Sequence, residues 1–151
     1  MRFLLPHDES EFEIPDACWQ ASGAAGYVRT ESAFAALPGV KKLWEQLTSR
    51  SGETIQSIHC PTQVVPLIYV APPGRELAPS GPVAGTPGFD EMRMTRVLQA
   101  ICSGVALPPI EVWRGFPGEV RFSPRDGFHR FYASVALGFT MLPVAVFRYV
   151  A

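Results

Sequence analysis

The chain has 151 residues, 47% of them hydrophobic, which suits one domain with a substantial core. Thirteen basic and fourteen acidic side chains leave a formal net charge of -1, so the basic surplus typical of a nucleic-acid-binding protein is missing and DNA is an unfavoured partner. The three cysteines, Cys18, Cys60 and Cys102, form no Cys-x-x-Cys pair and are predicted to be reduced core thiols of a cytoplasmic protein. No apolar run approaches the roughly twenty residues that cross a bilayer, so no membrane partner is expected.

The first third of the domain, residues 1–53, is predicted to be a helical extension. Pro15 and Asp16 can begin a short helix that ends at Gly23, with Asp16 as its cap. Another helix is predicted over residues 34–37. An amphipathic helix is then indicated by apolar residues at helical spacing: Val40, Leu43, Trp44 and Leu47. Trp19 and Trp44 are expected in the core rather than on a base-stacking surface.

Residues 54–151 are predicted to form the core of the same domain, and this part begins with strands. Residues 54–59 alternate weakly, and Val64–Val70 predicts a strand in which Pro66 indicates a sheet edge or a bulge. Residues 71–88 are rich in proline and glycine. A segment this long between regular elements is either a functional lid or connector, or disordered.

The next predicted element is a helix capped by Asp90 and closed by Gly104. Its apolar stripe consists of Met94, Val97, Leu98 and Ile101. Arg93 and Arg96 lie one turn apart on this helix, where they are either solvated or able to reach a phosphate.

The C-terminal part predicts a strand, a hairpin turn, a returning strand, a helix and a last strand. The first strand is Ile110–Trp113, and Val120 and Phe122 are expected to face inward from the returning strand. A left-handed stop at Gly138 follows the helix, and a buried strand is predicted over 142–147. The helix is indicated by apolar residues at helical spacing: Phe128, Phe131, Tyr132, Val135 and Ala136.

Polar groups gather where this helix begins. Gly127 permits backbone angles that a side chain would resist, so the residues after it can present free N–H groups together. These N–H groups and the helix dipole attract anions, and His129 and Arg130 add side-chain donors. The pattern therefore predicts a phosphate site.

The segment Asp126-Gly127-Phe128-His129-Arg130, placed between these strands, resembles the ParB/sulfiredoxin superfamily. That family comprises small α/β domains, among them nucleotide-dependent chromosome-partition proteins, sulfiredoxins and a free-serine kinase, and its G-x-[HR]-R segment holds nucleotide phosphates. The resemblance covers about half of the chain and implies a small mixed sheet packed by helices, an α+β fold. Members of the family tend to pass more directly from the strand to Asp-Gly, so the intervening Ser123 and Pro124 imply a bulge or a widened loop at the mouth of the site. The resemblance also implies phosphate binding by Gly127, Phe128, His129 and Arg130. Phe128 occupies the place of the sulfiredoxin cysteine and of the glutamate in CTP-hydrolysing partition proteins, so neither reaction is expected here.

Each polar residue has a structural alternative. Asp126 either caps the helix or binds a metal ion or a substrate hydroxyl. His129 contacts phosphate, acts as an acid or base, or is a satisfied structural histidine. Arg130 grips phosphate or pairs with a carboxylate such as Asp126. The candidate site thus comprises Asp126 and His129 as catalytic residues, with Arg93 added to the phosphate-binding set and no metal bound by protein ligands alone.

Two functions of different kinds remain open. In the first, the domain is a phosphotransferase or phosphohydrolase that uses a nucleotide such as ATP, ADP or CTP with Mg²⁺. In the second, the same site senses a nucleotide or binds a protein partner without catalysis. A ParB-like nuclease is a weaker alternative, because the chain has near-neutral charge and no evident helix-turn-helix.

Overall fold

The computed structural model describes residues 1–29, 62–74, 89–105, 107–114 and 122–147. Within these ranges it has three α-helices, a two-stranded sheet and a four-stranded sheet, which confirms the predicted mixed α+β class. The elements in chain order are β1 (Arg2–Leu4), β2 (Glu11–Glu13), α1 (Asp16–Ser22), a 3-10 turn (Ala24–Gly26), β3 (Thr62–Pro66), a second 3-10 turn (Leu67–Tyr69), α2 (Glu91–Cys102), β4 (Ile110–Trp113), β5 (Ser123–Asp126), α3 (Phe128–Ala136) and β6 (Met141–Phe147).

The larger sheet has the strand order β3-β6-β4-β5. β6 lies between β3, which is antiparallel to it, and β4, which is parallel to it. Five consecutive residues of β6, Leu142 to Val146, are buried, as expected for a strand covered on both faces. The predicted strands at Ile110–Trp113 and 142–147 are therefore confirmed, and their register pairs Ile110 with Val144 and Trp113 with Phe147.

β3 is shorter than the sequence predicts. The strand ends at Pro66, and Leu67–Tyr69 form a 3-10 turn instead of continuing to Val70. Pro66 has no N–H group to donate to a ladder, and the next amide, that of Leu67, donates to the carbonyl of Thr140. The prediction of an edge position holds among the described strands, because β3 is the last strand on its side of the sheet.

The start and the end of α2 follow the prediction. The carboxylate of Asp90 accepts a hydrogen bond from the N–H of Arg93 at 2.9 Å, which confirms it as the cap. Met94, Leu98 and Ile101 are fully buried, whereas Val97 is only partly buried. Gly104 follows the helix with φ of +74°.

The N-terminal residues form a hairpin that the sequence analysis missed. β1 and β2 are antiparallel, with Phe3 opposite Phe12, so the prediction that residues 1–53 are helical is wrong for this part. Each strand has only three residues, too few to show an alternating pattern, and just one residue of β2, Phe12, is buried.

The helix α1 is confirmed, but its predicted cap is not. Pro15 occupies the cap position and makes no side-chain cap bond, while Asp16 pairs with the N-terminal amine at 2.5 Å. The helix ends before Gly23, which has φ of +83° as expected. Trp19 is 8% exposed and belongs to the core, as predicted. Cys18 is buried too, whereas Cys102 is only partly buried.

One hydrophobic core joins the hairpin, the helices and the larger sheet. Buried residues from each of them belong to it, among them Phe12, Met94, Ile110, Phe131 and Val144. None of the helices in the described ranges is long and apolar enough to cross a membrane. The predictions for residues 30–61 and 75–88, including Trp44, Cys60 and most of the proposed lid, lie outside the described residues, as does the predicted hairpin turn with Val120.

Candidate functional site

The candidate site is the junction between β5 and α3. β5 runs to Asp126, and Gly127 then turns the chain into the helix with φ of +112°. The carbonyl of Gly127 accepts from the N–H of Phe131 at 2.9 Å. As at any helix start, the preceding N–H groups, those of residues 128–130, have no acceptor one turn earlier. Because the cap residue is glycine, no side chain at the cap position accepts from them.

Gly127 is also required by its surroundings. A Cβ atom at this position would lie 3.1 Å from both Cγ1 and Cγ2 of Ile110 and 3.3 Å from a guanidinium nitrogen of Arg130. Ile110 is fully buried in β4, so it has little room to move. The left-handed backbone and the close packing against the sheet both exclude a side chain here.

Asp126 does not cap α3 in the manner considered from the sequence. Its Oδ1 accepts from the N–H of the next residue, Gly127, at 2.8 Å, and no side-chain bond is made to the first turn of the helix. Its other oxygen lies 3.8 Å from Nη2 of Arg130, and the carboxylate is 71% exposed. Asp126 is therefore held at the start of α3 but stays open to solvent.

Arg130 is turned into the protein and serves the fold. Its Nη1 donates to the carbonyl oxygens of Pro108 and Pro109, at 2.5 and 3.1 Å, and its side chain is only 15% exposed. Burial lowers the pKa of Arg130, and the carboxylates of Asp126 and Glu111 oppose that shift. The predicted pairing with Asp126 is present, whereas the two bonds to the proline carbonyls were not foreseen. The other terminal nitrogen of the guanidinium, Nη2, makes neither of these two bonds and lies beside Gly127 and Asp126.

His129 bridges the starts of two helices. Its Nε2 accepts a hydrogen bond from the backbone N–H of Asp90 at 3.0 Å. An imidazole nitrogen that accepts carries no proton, so the proton of the neutral ring is on Nδ1. Burial is the main cause that lowers the pKa of His129, the charge of Arg93 adds to the effect, and Asp90 opposes it. His129 therefore has the structural role that the sequence analysis considered, through its bond to Asp90. Nδ1–H is not used in this bond.

The remaining predicted residues differ in exposure. Arg93 is exposed, as is Arg96 one turn further along α2. Phe128 is partly buried and packs its ring against Phe89 and Tyr132, with centroids 5.3 and 5.1 Å apart. The junction therefore brings together Asp126, Gly127, Arg130 and the N–H groups of α3, with Arg93 close enough to influence His129.

The predicted bulge beside the site is present, but the widened loop is not. Ser123, Pro124 and Arg125 belong to β5, and the register against β4 shifts so that Arg125 is the extra residue. Its guanidinium lies 4.4 Å from the ring centre of Phe147 and 5.3 Å from that of Trp113. The intervening Ser123 and Pro124 indicated the bulge in the sequence. They gave no indication that Arg125 would pack on aromatic rings from β4 and β6.

The buried face of α3 differs from the predicted apolar stripe: Phe131 and Tyr132 are buried as predicted, whereas Phe128, Val135 and Ala136 are only partly buried. Ala133 and Ser134, which lie beyond the stripe, are completely buried, and the hydroxyl of Ser134 donates to the carbonyl of Arg130 at 2.7 Å. The N-terminal hairpin covers the predicted part of this face, because Phe12 packs against Tyr132 and His7 against Phe131. His7 was not singled out from the sequence, although its Nε2 lies 2.8 Å from the carbonyl of Val70.

No family model matches this sequence, and no curated protein matches it. Within the residues that the structure describes, no three side chains of histidine, cysteine, aspartate or glutamate are grouped so that they could hold a metal ion.

Proposed function

We propose that the chain is a phosphate- or nucleotide-binding domain of the ParB/sulfiredoxin kind, with its site at the start of α3. The observation that carries the proposal is the junction at Gly127, where a glycine cap leaves the first N–H groups of a nine-residue helix without a side-chain acceptor. Such groups bind phosphate through hydrogen bonds and through the helix dipole. The order of β4, β5, α3 and β6 around the Asp-Gly-x-His-Arg segment further supports the family relationship.

The charged groups around this helix start support an anionic ligand that arrives with a cation. Arg130 and Arg93 are positive, but Asp126 and Asp90 place two carboxylates near them. Mg²⁺ is commonly bound by one or two carboxylates together with substrate phosphates. The exposed carboxylate of Asp126 fits that role, and Mg²⁺ would screen its charge from the phosphates. Binding should therefore be stronger with Mg²⁺ than without it.

The engagement of His129 favours binding without catalysis over phosphoryl transfer or hydrolysis. Its Nε2 already accepts from the amide of Asp90, so the nitrogen that a general base would use is occupied. Nδ1–H can still donate a hydrogen bond to a ligand. Nucleotide sensing is therefore the form of the function that we prefer, and a phosphotransferase or phosphohydrolase is the second candidate.

The test is a thermal-shift titration with inorganic phosphate, ATP, ADP, CTP and GTP, each with and without Mg²⁺. A ligand at about one hundred times its dissociation constant stabilises the fold by roughly 2.7 kcal/mol. Arg93→Gln should weaken the shift, whereas Arg96→Gln, an exposed arginine one turn away, should leave it unchanged. No shift with any of these ligands would refute the proposal. Turnover of a bound nucleotide that is lost in His129→Gln would replace sensing by the enzymatic candidate.

Arg130 is unsuitable as the binding control. Its guanidinium holds the carbonyls of Pro108 and Pro109, so truncation at this position changes the fold as well as any ligand contact. Arg93 avoids this difficulty because its side chain is exposed.

A further inference from the structure

The hydrogen bond between Asp90 and His129 connects the start of α2 to the start of α3. The two residues are 39 positions apart in the chain, and the N–H of Asp90 donates to Nε2 at 3.0 Å. Asp90 is also the cap of α2, through its carboxylate and the N–H of Arg93. Beside this bond, the ring of Phe89 lies 5.8 Å from the ring of His129 and 5.3 Å from that of Phe128. The bond therefore holds the residue that begins α2 in place over α3.

This bond depends on the protonation state of the imidazole. A neutral imidazole has one nitrogen that accepts, whereas both nitrogens of the protonated ring donate. Once His129 is protonated, two N–H groups face each other and the bond is lost. The backbone N–H of Asp90 does not change with pH in this range, so the imidazole alone determines whether the bond exists.

We propose that the Asp90–His129 hydrogen bond is a pH-sensitive latch, closed while His129 is neutral and opened when the imidazole takes up a proton. Opening frees the backbone N–H of Asp90 from α3, while the carboxylate of Asp90 still caps α2 and Phe89 stays in the core. The latch is a property of the ligand-free protein and does not depend on phosphate binding, so it stands or falls separately from the proposed function.

Burial and the charges around the ring determine the pH range. Burial is the main cause that lowers the pKa of His129, Arg93 on α2 lowers it further, and the carboxylate of Asp90 acts in the opposite direction. On α3, Arg130 is directed toward the carbonyls of Pro108 and Pro109. Arg93 and Asp90 are thus the charged groups that shift the pKa of the imidazole. The folded protein therefore binds this proton less readily than the unfolded chain, whose histidine pKa is about 6.5. The stabilisation is complete above that pH and is lost as the pH falls through the lower pKa of the folded state.

Hydrogen exchange of the Asp90 amide tests the latch directly. In the wild-type protein, its protection factor, the intrinsic exchange rate divided by the observed rate at the same pH, should fall by roughly fivefold from pH 7.5 to a pH below the midpoint of the His129 titration, the equivalent of one hydrogen bond. The matched variant is His129→Gln, because a glutamine can place an amide oxygen near the position of Nε2 but does not titrate. Its Asp90 amide should keep the same protection factor across this range. A protection factor that is independent of pH in the wild type, or that falls equally in the variant, would overturn the latch.

A measurement on the wild-type protein alone covers the case in which the variant does not fold. The ring nitrogens of His129 and the amide of Asp90 are followed by NMR from pH 8 to pH 4.5. The latch requires a proton on Nδ1 at high pH, a His129 pKa below about 6.5, and an Asp90 amide shift that changes with the same midpoint. A proton on Nε2 at high pH, or an Asp90 amide that does not follow the imidazole, would disprove it.

Discussion

At the residue scale, Gly127 and Arg130 show how closely the candidate site is built into the fold. Gly127 is limited by its backbone angle and by the side chain of Ile110, and Arg130 spans from α3 to the carbonyls that precede β4. Both residues belong to the segment that indicates phosphate binding. Any variant made to test binding at these positions will also change stability, so the two effects have to be measured separately.

Gly127→Ala is expected to lower the free energy of unfolding by about 2–3 kcal/mol, because it adds a steric conflict with Ile110 to the strain of a left-handed backbone. The measurement is urea denaturation. Gly138→Ala is the matched control, since Gly138 has φ of +85° but no heavy atom within 4 Å of the added Cβ. It should lose only the backbone contribution, about 1–2 kcal/mol. Equal losses in the two variants would show that the contact with Ile110 is relieved at no cost.

Arg130→Met is expected to destabilise the fold by about 1–3 kcal/mol, because it leaves the carbonyls of Pro108 and Pro109 without their donor while retaining an apolar side chain. Arg93→Gln, which removes an exposed charge, should change stability by no more than about 0.5 kcal/mol. Chemical denaturation of both variants without ligand decides the point. If Arg130→Met were as stable as the wild type, Arg130 would be free to serve a ligand alone.

At the scale of elements, the starts of α2 and α3 differ in how their N–H groups are satisfied. α2 has an aspartate cap that accepts from its first turn, whereas α3 has a glycine cap and no side-chain acceptor. A cap that satisfies the helix start contributes stability, and an open helix start is free to bind an anion. This difference places the candidate site at α3 and assigns Asp90 a structural role.

Asp90→Ala is expected to cost about 1 kcal/mol, because the N–H of Arg93 loses its acceptor. Asp90→Asn keeps an oxygen in that place and should lose only a few tenths of a kcal/mol, from the weaker interaction with the helix dipole. Thermal unfolding at pH 7.5 compares the two variants with the wild type. A loss in the asparagine variant as large as that in the alanine variant would mean that the charge, and not the hydrogen bond, stabilises α2.

At the scale of the whole molecule, the N-terminal hairpin is part of the core that supports the site. Phe12 is 3% exposed, and its ring lies 5.0 Å from that of Tyr132 on α3 and 6.3 Å from that of Phe89 before α2. The side chain therefore packs against α3 and against Phe89, the residue before the cap of α2. We expect the hairpin and the helices to unfold in one transition.

Phe12→Ala is expected to cost about 3–5 kcal/mol, since it removes a large buried side chain and leaves a cavity. Leu4→Ala, in the same hairpin but 57% exposed, should change stability by no more than about 0.5 kcal/mol. Circular dichroism and tryptophan fluorescence should report the same urea midpoint in each protein. Two separate midpoints would show that the hairpin unfolds independently. If Phe12→Ala does not fold, Phe12→Leu gives the same comparison with a smaller loss of stability.

The amino-acid sequence by itself determined the elements with strong local signals. The Asp90 cap and the glycine stops at Gly23 and Gly138 follow from interactions within a few residues, and the strands at Ile110–Trp113 and 142–147 are marked by short apolar runs. Asp126, Gly127, His129 and Arg130 could be selected because loop and helix signals meet there. The three-residue strands of the hairpin could not, since their pattern is too short to show a period.

Only the tertiary structure decided what the side chains at the site bind. Arg130 meets the carbonyls of Pro108 and Pro109, His129 meets the amide of Asp90, and Arg125 lies over the rings of Trp113 and Phe147. All of these partners come from other elements, and the bulge that places Arg125 depends on the register between β4 and β5. A sequence pattern records spacing along one chain segment, whereas these contacts arise from packing between segments that are distant in the chain. For this reason, the sequence could only select candidate residues, and the structure assigned Arg130 and His129 their structural bonds.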